Sequence, residues 1–216
     1  DFDLTAPTID FQGIALPNPV RHYPQLLEET IKGSVSTIHG NFHLGNILLG
    51  NNNTPLLVDF AATRTGHTLY DWAALEVSII DEWLAPLMAS GWAAVRQMVG
   101  YVTVLNQTQL PSDLPADYAD VLHVIHALRL IVERCLAQPG AWEEYYISLA
   151  MLSLRAVTYE TLLVDHRRLM FYVSALAMHA YGVQQSEPDP PRYKVNTEVD
   201  LNDIRAKLNK SNQDDT

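Results

Sequence analysis

His39-Gly40-Asn41-Phe42-His43-Leu44-Gly45-Asn46, followed by Val58-Asp59-Phe60, decides how this chain folds. The segment between the two runs reads as a hairpin. Ile47-Leu48-Leu49 and Pro55-Leu56-Leu57-Val58 are short apolar stretches, and Gly50-Asn51-Asn52-Asn53-Thr54 between them is dense in turn formers. Folded back on itself, that hairpin carries Asn46 and Asp59 to one rim. An amide oxygen and a carboxylate brought together suit a hard cation that also keeps waters and phosphate oxygens. Gly40 and Gly45 also spell G-x-x-x-x-G, but a phosphate-binding P-loop needs Lys and Ser/Thr next, and Asn46-Ile47 stands there instead.

The spacing matches a phosphotransfer template. There His-x-Asp opens a loop, an Asn five positions after the Asp reaches a magnesium ion, and a second Asp beyond a hairpin holds the metal that bridges the nucleotide phosphates. At these residues the chain resembles the aminoglycoside phosphotransferase and choline kinase branch of the kinase superfamily, in which the loop reads His-Gly-Asp-x-x-x-x-Asn. Asp59-Phe60-Ala61, without a following Gly, fits the same branch. The longer stretch from Asp59 through His67 and Asp71 to Glu76 resembles more particularly the phosphotransferase-like ternary-complex-associated domains of bacterial conflict and signalling proteins.

The resemblance implies a mainly α fold with a small β-hairpin, a protein-kinase-like C-terminal lobe of α+β type. It places Mg2+ with ATP or GTP at Asn46 and Asp59. His39 becomes a loop anchor whose imidazole bonds backbone near Asp59, and Asp71 a support that holds the loop by hydrogen bonds to its backbone. Asp71 is equally well explained as a first-turn acid favoured by the helix dipole. Asn41 takes the place of the general base. An amide orients a hydroxyl but does not take its proton at neutral pH, and a positioned base is worth about 10²–10⁴-fold. The expected function is therefore a catalytically impaired phosphotransferase; the alternative is a non-catalytic pseudokinase that binds a nucleotide or partner within a larger signalling or defence protein.

Length limits both readings. The 216 residues make one domain or slightly more, and 48% hydrophobic content is ample for a core. A complete kinase also needs an N-terminal lobe with a glycine-rich loop and a strand lysine. The ten glycines never form G-x-G-x-x-G, and Lys32, the only lysine before Lys194, lies too close to the loop. The N-terminal lobe is thus expected to be absent or very reduced.

Along the rest of the chain, residues 1–20 read as an extended lead-in and Tyr23–Lys32 as a helix stopped by Gly33. A loop is expected after the hairpin through His67. Leu69–Val104 carries helical spacing broken at Pro86 and Gly91, Asn106–Ala116 is a polar loop, and Asp117–Ala137 shows an apolar stripe every three or four residues. Trp142–Leu163 and Arg167–Tyr181 complete a helical bundle. The organisation is a kinase-like lobe over 1–182, comprising lead-in and helix (1–34), loop and hairpin (35–60) and bundle (68–182). Residues 183–216, rich in Pro and polar side chains, form a linker or a frayed terminus.

A net charge of −11 argues against nucleic acid or an anionic membrane as the main partner and favours a neutral or cationic small molecule, or a protein, beside the nucleotide. Other domains of a longer polypeptide are further expected partners. No run reaches the 18 apolar residues of a membrane span, no signal peptide opens the chain, and the lone Cys135 falls in an apolar stripe, so a reducing cytoplasm is the expected compartment. His39 and His43 form H-x3-H, but in a loop beside glycine and without cysteines this does not read as a zinc site. Arg64 is expected to be solvated, and His123, His126, His166 and His179 to be interface or surface residues.

Overall fold

A computed structural model describes residues 3–106, 109–110 and 114–182. The lead-in is more ordered than an extended segment. Strands β1 (Thr8–Phe11) and β2 (Ile14–Pro17) pair antiparallel, turning through Gln12 and Gly13, both at positive φ. Ile9, Phe11 and Leu16 face the core, so alternation that could have meant extended chain is the inner face of a hairpin. Asn18 then caps helix α1 (Pro19–Leu26), accepting from the Val20 N–H at 3.2 Å and donating to the Ala6 carbonyl at 2.7 Å. The helix expected over Tyr23–Lys32 is therefore shifted toward the N-terminus. Pro19 pre-sets its first turn, and Pro24, with no amide proton to give, keeps it to two turns.

Strands β3 (Val35–Ile38), β4 (Ile47–Leu49), β5 (Pro55–Leu57) and β6 (Arg64–His67) follow. β4 and β5 form the hairpin read from the sequence, with Ile47 opposite Leu57. β3 and β6 form another antiparallel pair, Val35 opposite His67 and Ile38 opposite Arg64. One hairpin was expected and three two-stranded sheets are present among the described residues. Arg64-Thr65-Gly66-His67 has no apolar alternation, which is why it reads as loop; its strand conformation comes from pairing with β3, whose Ile38 side chain fills the space a Cβ on Gly66 would need.

The remainder is helical: α2 (Tyr70–Ile79), α3 (Trp92–Asn106), α4 (Ala116–Cys135), α5 (Glu143–Ala156) and α6 (Val164–Tyr181). α2 runs on through a π turn, Ile80–Leu84, and a 3-10 turn, Ala85–Leu87. α5 stops well short of Leu163, because Thr158, Tyr159 and Thr161 are poor helix formers and Leu163 is extended. α6 is the centre of the bundle. Every residue from Leu169 to Met178 is buried, the pattern of a helix surrounded by protein on all sides, and α5 and α3 pack against it. Gly182, at φ 92°, ends it in the left-handed conformation that glycine adopts without strain. The linker or tail expected over 183–216 lies outside the described residues.

Three fully buried polar side chains tie helices together inside this core. Arg129 of α4 donates from Nε to Glu76 Oε2 of α2 at 2.9 Å and from a second guanidinium nitrogen to Glu76 Oε1, and Tyr145 of α5 donates its hydroxyl to Glu76 Oε2 at 2.6 Å. Burial alone works against the charge on Arg129, but the Glu76 carboxylate outweighs it and holds the guanidinium pKa above its ordinary value. Burial, reinforced by the Glu76 charge, pushes the Tyr145 phenol well above its usual range, so it remains a neutral donor. No described helix is long and apolar enough to cross a membrane.

Candidate functional site

β3 delivers the chain to His39, and the first turn of α2 receives it. The amides of His39 and Gly40 donate to the two carboxylate oxygens of Asp71, at 2.6 and 2.9 Å. Two adjacent N–H groups on one carboxylate make a charge-assisted, bidentate clamp. Gly40 sits at φ 80°, and a Cβ there would strike the Ala62 carbonyl and the Arg64 guanidinium, so only glycine fits. The His39 imidazole is buried, its Nε2 lies 2.8 Å from the Val58 carbonyl, and its ring packs against Phe42 and Phe60.

α2 grips the loop a second time, two turns further on. Leu44 N–H donates to Ser78 Oγ at 2.9 Å, and that hydroxyl donates in turn to Glu82 Oε1 at 2.6 Å. Asn46 is buried and closes the loop, its Nδ2 donating to the Asn41 carbonyl at 2.8 Å while its own carbonyl accepts from Val58 N–H at 3.1 Å. Asp59 follows directly, exposed and left-handed at φ 63°. The donor types are those a hard cation takes. With the amide nitrogen of Asn46 taken up by Asn41, the atom it offers is oxygen, and Asp59 adds a carboxylate. Nε2 of His39 is engaged by the Val58 carbonyl and Nδ1 of His43 by Gly45 N–H, and among the described residues no three His, Cys, Asp or Glu side chains gather to hold a metal.

Asn41 is exposed at the edge of a cavity of about 440 Å³, which Tyr70, Asp81, Glu82, Arg155 and Tyr159 also line. These cavity residues were not identified from the sequence. Asp81-Glu82 interrupting an apolar helical run was a usable signal, whereas Arg155 and Tyr159 arrive through tertiary packing alone. The π turn sets the two acids where they stand. Asp81 Oδ1 is buried with no hydrogen-bond partner among the described residues, and His166 Nδ1 of α6 is 3.9 Å away, which makes His166 a residue of the interface between α6 and the π turn. Arg64 is exposed, as expected, but donates to the Ala62 carbonyl and lies over the Tyr70 ring.

Burial raises the Asp81 pKa above the ordinary carboxylate value, against the pull of His166 and with a further push from Glu82. A carboxyl whose folded pKa exceeds its unfolded one is destabilising while ionised, and the penalty fades as pH falls through the folded pKa. Asp81→Asn is therefore expected to raise the melting temperature at pH 7.5, with the gap closing near pH 4; a gap that widens on acidification would contradict this.

A family model described as ternary complex associated domain 9 matches residues 4–158. No curated protein and no solved structure matches the chain. The matched span covers more than half the sequence and includes the loop from His39 to Asn46, Asp59, and both grips that α2 exerts through Asp71 and Ser78: the chain belongs to the ternary complex associated domain 9 family.

Proposed function

We propose that this domain is a non-catalytic binding module built on a protein-kinase-like C-terminal lobe, serving in the cytoplasm within a larger bacterial signalling or defence protein. The observation that carries the reading is Asn41. The loop around it is held at both ends by α2 and by His39, yet the side chain at the rim of the cavity is an amide, which orients a hydroxyl and accepts no proton. The family's description, association with ternary complexes, supports a role in bringing partners together.

A second reading, phosphotransferase, is favoured by the oxygen donors Asn46 and Asp59. They would hold Mg2+ with ATP or GTP, which supplies neutralisation of phosphate charge. On that reading Asp71 and His39 position the loop and Asn41 only orients an acceptor. The two readings separate on Asn41→Asp in the longest native polypeptide that carries the domain. Phosphate release from Mg-ATP and Mg-GTP is expected at background for both forms; a gain of about 10²-fold or more in the Asp form, the lower end of what a general base supplies, would overturn the binding-module reading.

A further inference from the structure

α1, the last turn of α5 and the first half of α6 leave a groove of about 570 Å³ between them. Its walls are aliphatic and aromatic, with Val20, Tyr23, Leu154, Val164 and Phe171 prominent. Among the described residues that line it none is acidic and three, Arg155, Arg167 and Arg168, are arginines, in a chain whose net charge is −11. Basic side chains thus stand along an apolar groove. Arg168 is fixed from behind, donating to Asp165 at 2.8 Å and stacking on Trp92. Arg167 donates one Nη to the Glu160 carbonyl at 3.1 Å, while its Nε is buried with no hydrogen-bond partner among the described residues. Arg155 is exposed.

The shape of the groove distinguishes a large occupant from a small one. A small-molecule site buries roughly 70–90% of its ligand, whereas Val20, Tyr23 and Val164 are 39%, 40% and 63% exposed and stand open along the groove. An element that runs across the face covers them; a compact ligand does not. The sign of the rim distinguishes further. A second copy packed groove to groove would bring arginines against arginines, a juxtaposition that costs affinity, and the complementary occupant is an apolar stripe flanked by carboxylates. We propose that this groove docks an acidic amphipathic helix of a partner protein, with apolar residues at i, i+3 and i+7 on the groove wall and Asp or Glu beside them facing Arg155 and Arg167. The proposal deepens the binding-module reading, but it stands on the groove and not on Asn41, so either fails without the other.

The test is fluorescence anisotropy on the full chain, with a synthetic 18-residue helix carrying Leu at those spacings and Glu elsewhere. The comparison peptides exchange every Glu for Lys, or scramble the Leu positions. The acidic peptide is expected to bind at least about ten-fold more tightly than either, and to weaken about ten-fold on Arg155→Glu with Arg167→Glu. Val164→Asp, at an exposed position that leaves the core untouched, is expected to weaken it similarly while circular dichroism stays unchanged. Equal binding of the acidic and basic peptides, or indifference to both sets of variants, overturns the proposal. So does sedimentation showing a dimer that Val164→Asp dissolves, which would give the groove to a second copy. Saturation by dodecanoate at its monomeric concentrations, with no binding of the acidic peptide, would give it to a small anionic amphiphile and overturns the proposal as well.

Discussion

Arg129→Leu is expected to lower the midpoint of thermal unfolding by roughly 6–20 °C. Removing one partner of a buried ion pair costs about 3–5 kcal/mol, and in a chain of this size each kcal/mol moves the midpoint by about 2–4 °C. The cost is large here because the leucine leaves the Glu76 carboxylate, which the Tyr145 hydroxyl still serves, in the core without its counter-charge. Glu76→Leu should do comparable damage by stranding the guanidinium. Replacing both together should recover most of the loss, since a buried pair is often matched by well-packed apolar side chains of similar volume. Tyr145→Phe added to that double variant should recover more, because the hydroxyl no longer has an acceptor. Thermal unfolding followed by circular dichroism decides it. Two single losses that simply add in the double variant would show that the groups act separately.

Asp71→Ala is expected to free the loop without unfolding the domain. Its carboxylate is the acceptor for two adjacent amides, and hydrogen bonds to a charged group are worth about 1.5–3 kcal/mol each. Local opening at His39 and Gly40 should become easier by about 2 kcal/mol or more, seen as some thirty-fold faster hydrogen exchange at those two amides. Amides within α6 should keep their protection. Asp71→Asn, which retains one carbonyl oxygen, should fall between. If exchange at His39 and Gly40 is unchanged in the alanine variant, the clamp contributes nothing and Asp71 is only a first-turn acid.

The parts of the fold legible in the sequence are those whose signal is local. Ile47–Leu49 and Pro55–Leu57 flank an asparagine-rich turn, and the hairpin is there; Pro86 and Gly91 lie between α2 and α3. The errors fall where conformation depends on distant partners. Residues 64–67 carry no strand pattern and become β6 through pairing with β3, and residues 8–17 form a hairpin whose inner face packs on the bundle, with Tyr172 donating to the Asp10 carbonyl at 3.1 Å. The same division holds at the site. The spacing along the chain singles out Asn46 and Asp59, and the resemblance adds His39 and Asp71, whereas the cavity beside Asn41 is assembled from α2, its π turn and the far end of α5, and no spacing reports that.

The junction of Glu76, Arg129 and Tyr145 also constrains how this domain can have diverged. Its three residues are spread over α2, α4 and α5, so no single substitution exchanges the polar centre for an apolar one without passing through an ancestor that folds poorly. Lineages should therefore inherit the acid, the guanidinium and the phenol as a set or lose the first two together. The residues facing the groove and the cavity are free of that constraint and can drift one at a time. Specificity can then change quickly on a scaffold that hardly changes, and an alignment would show the trio as a block beside variable surroundings.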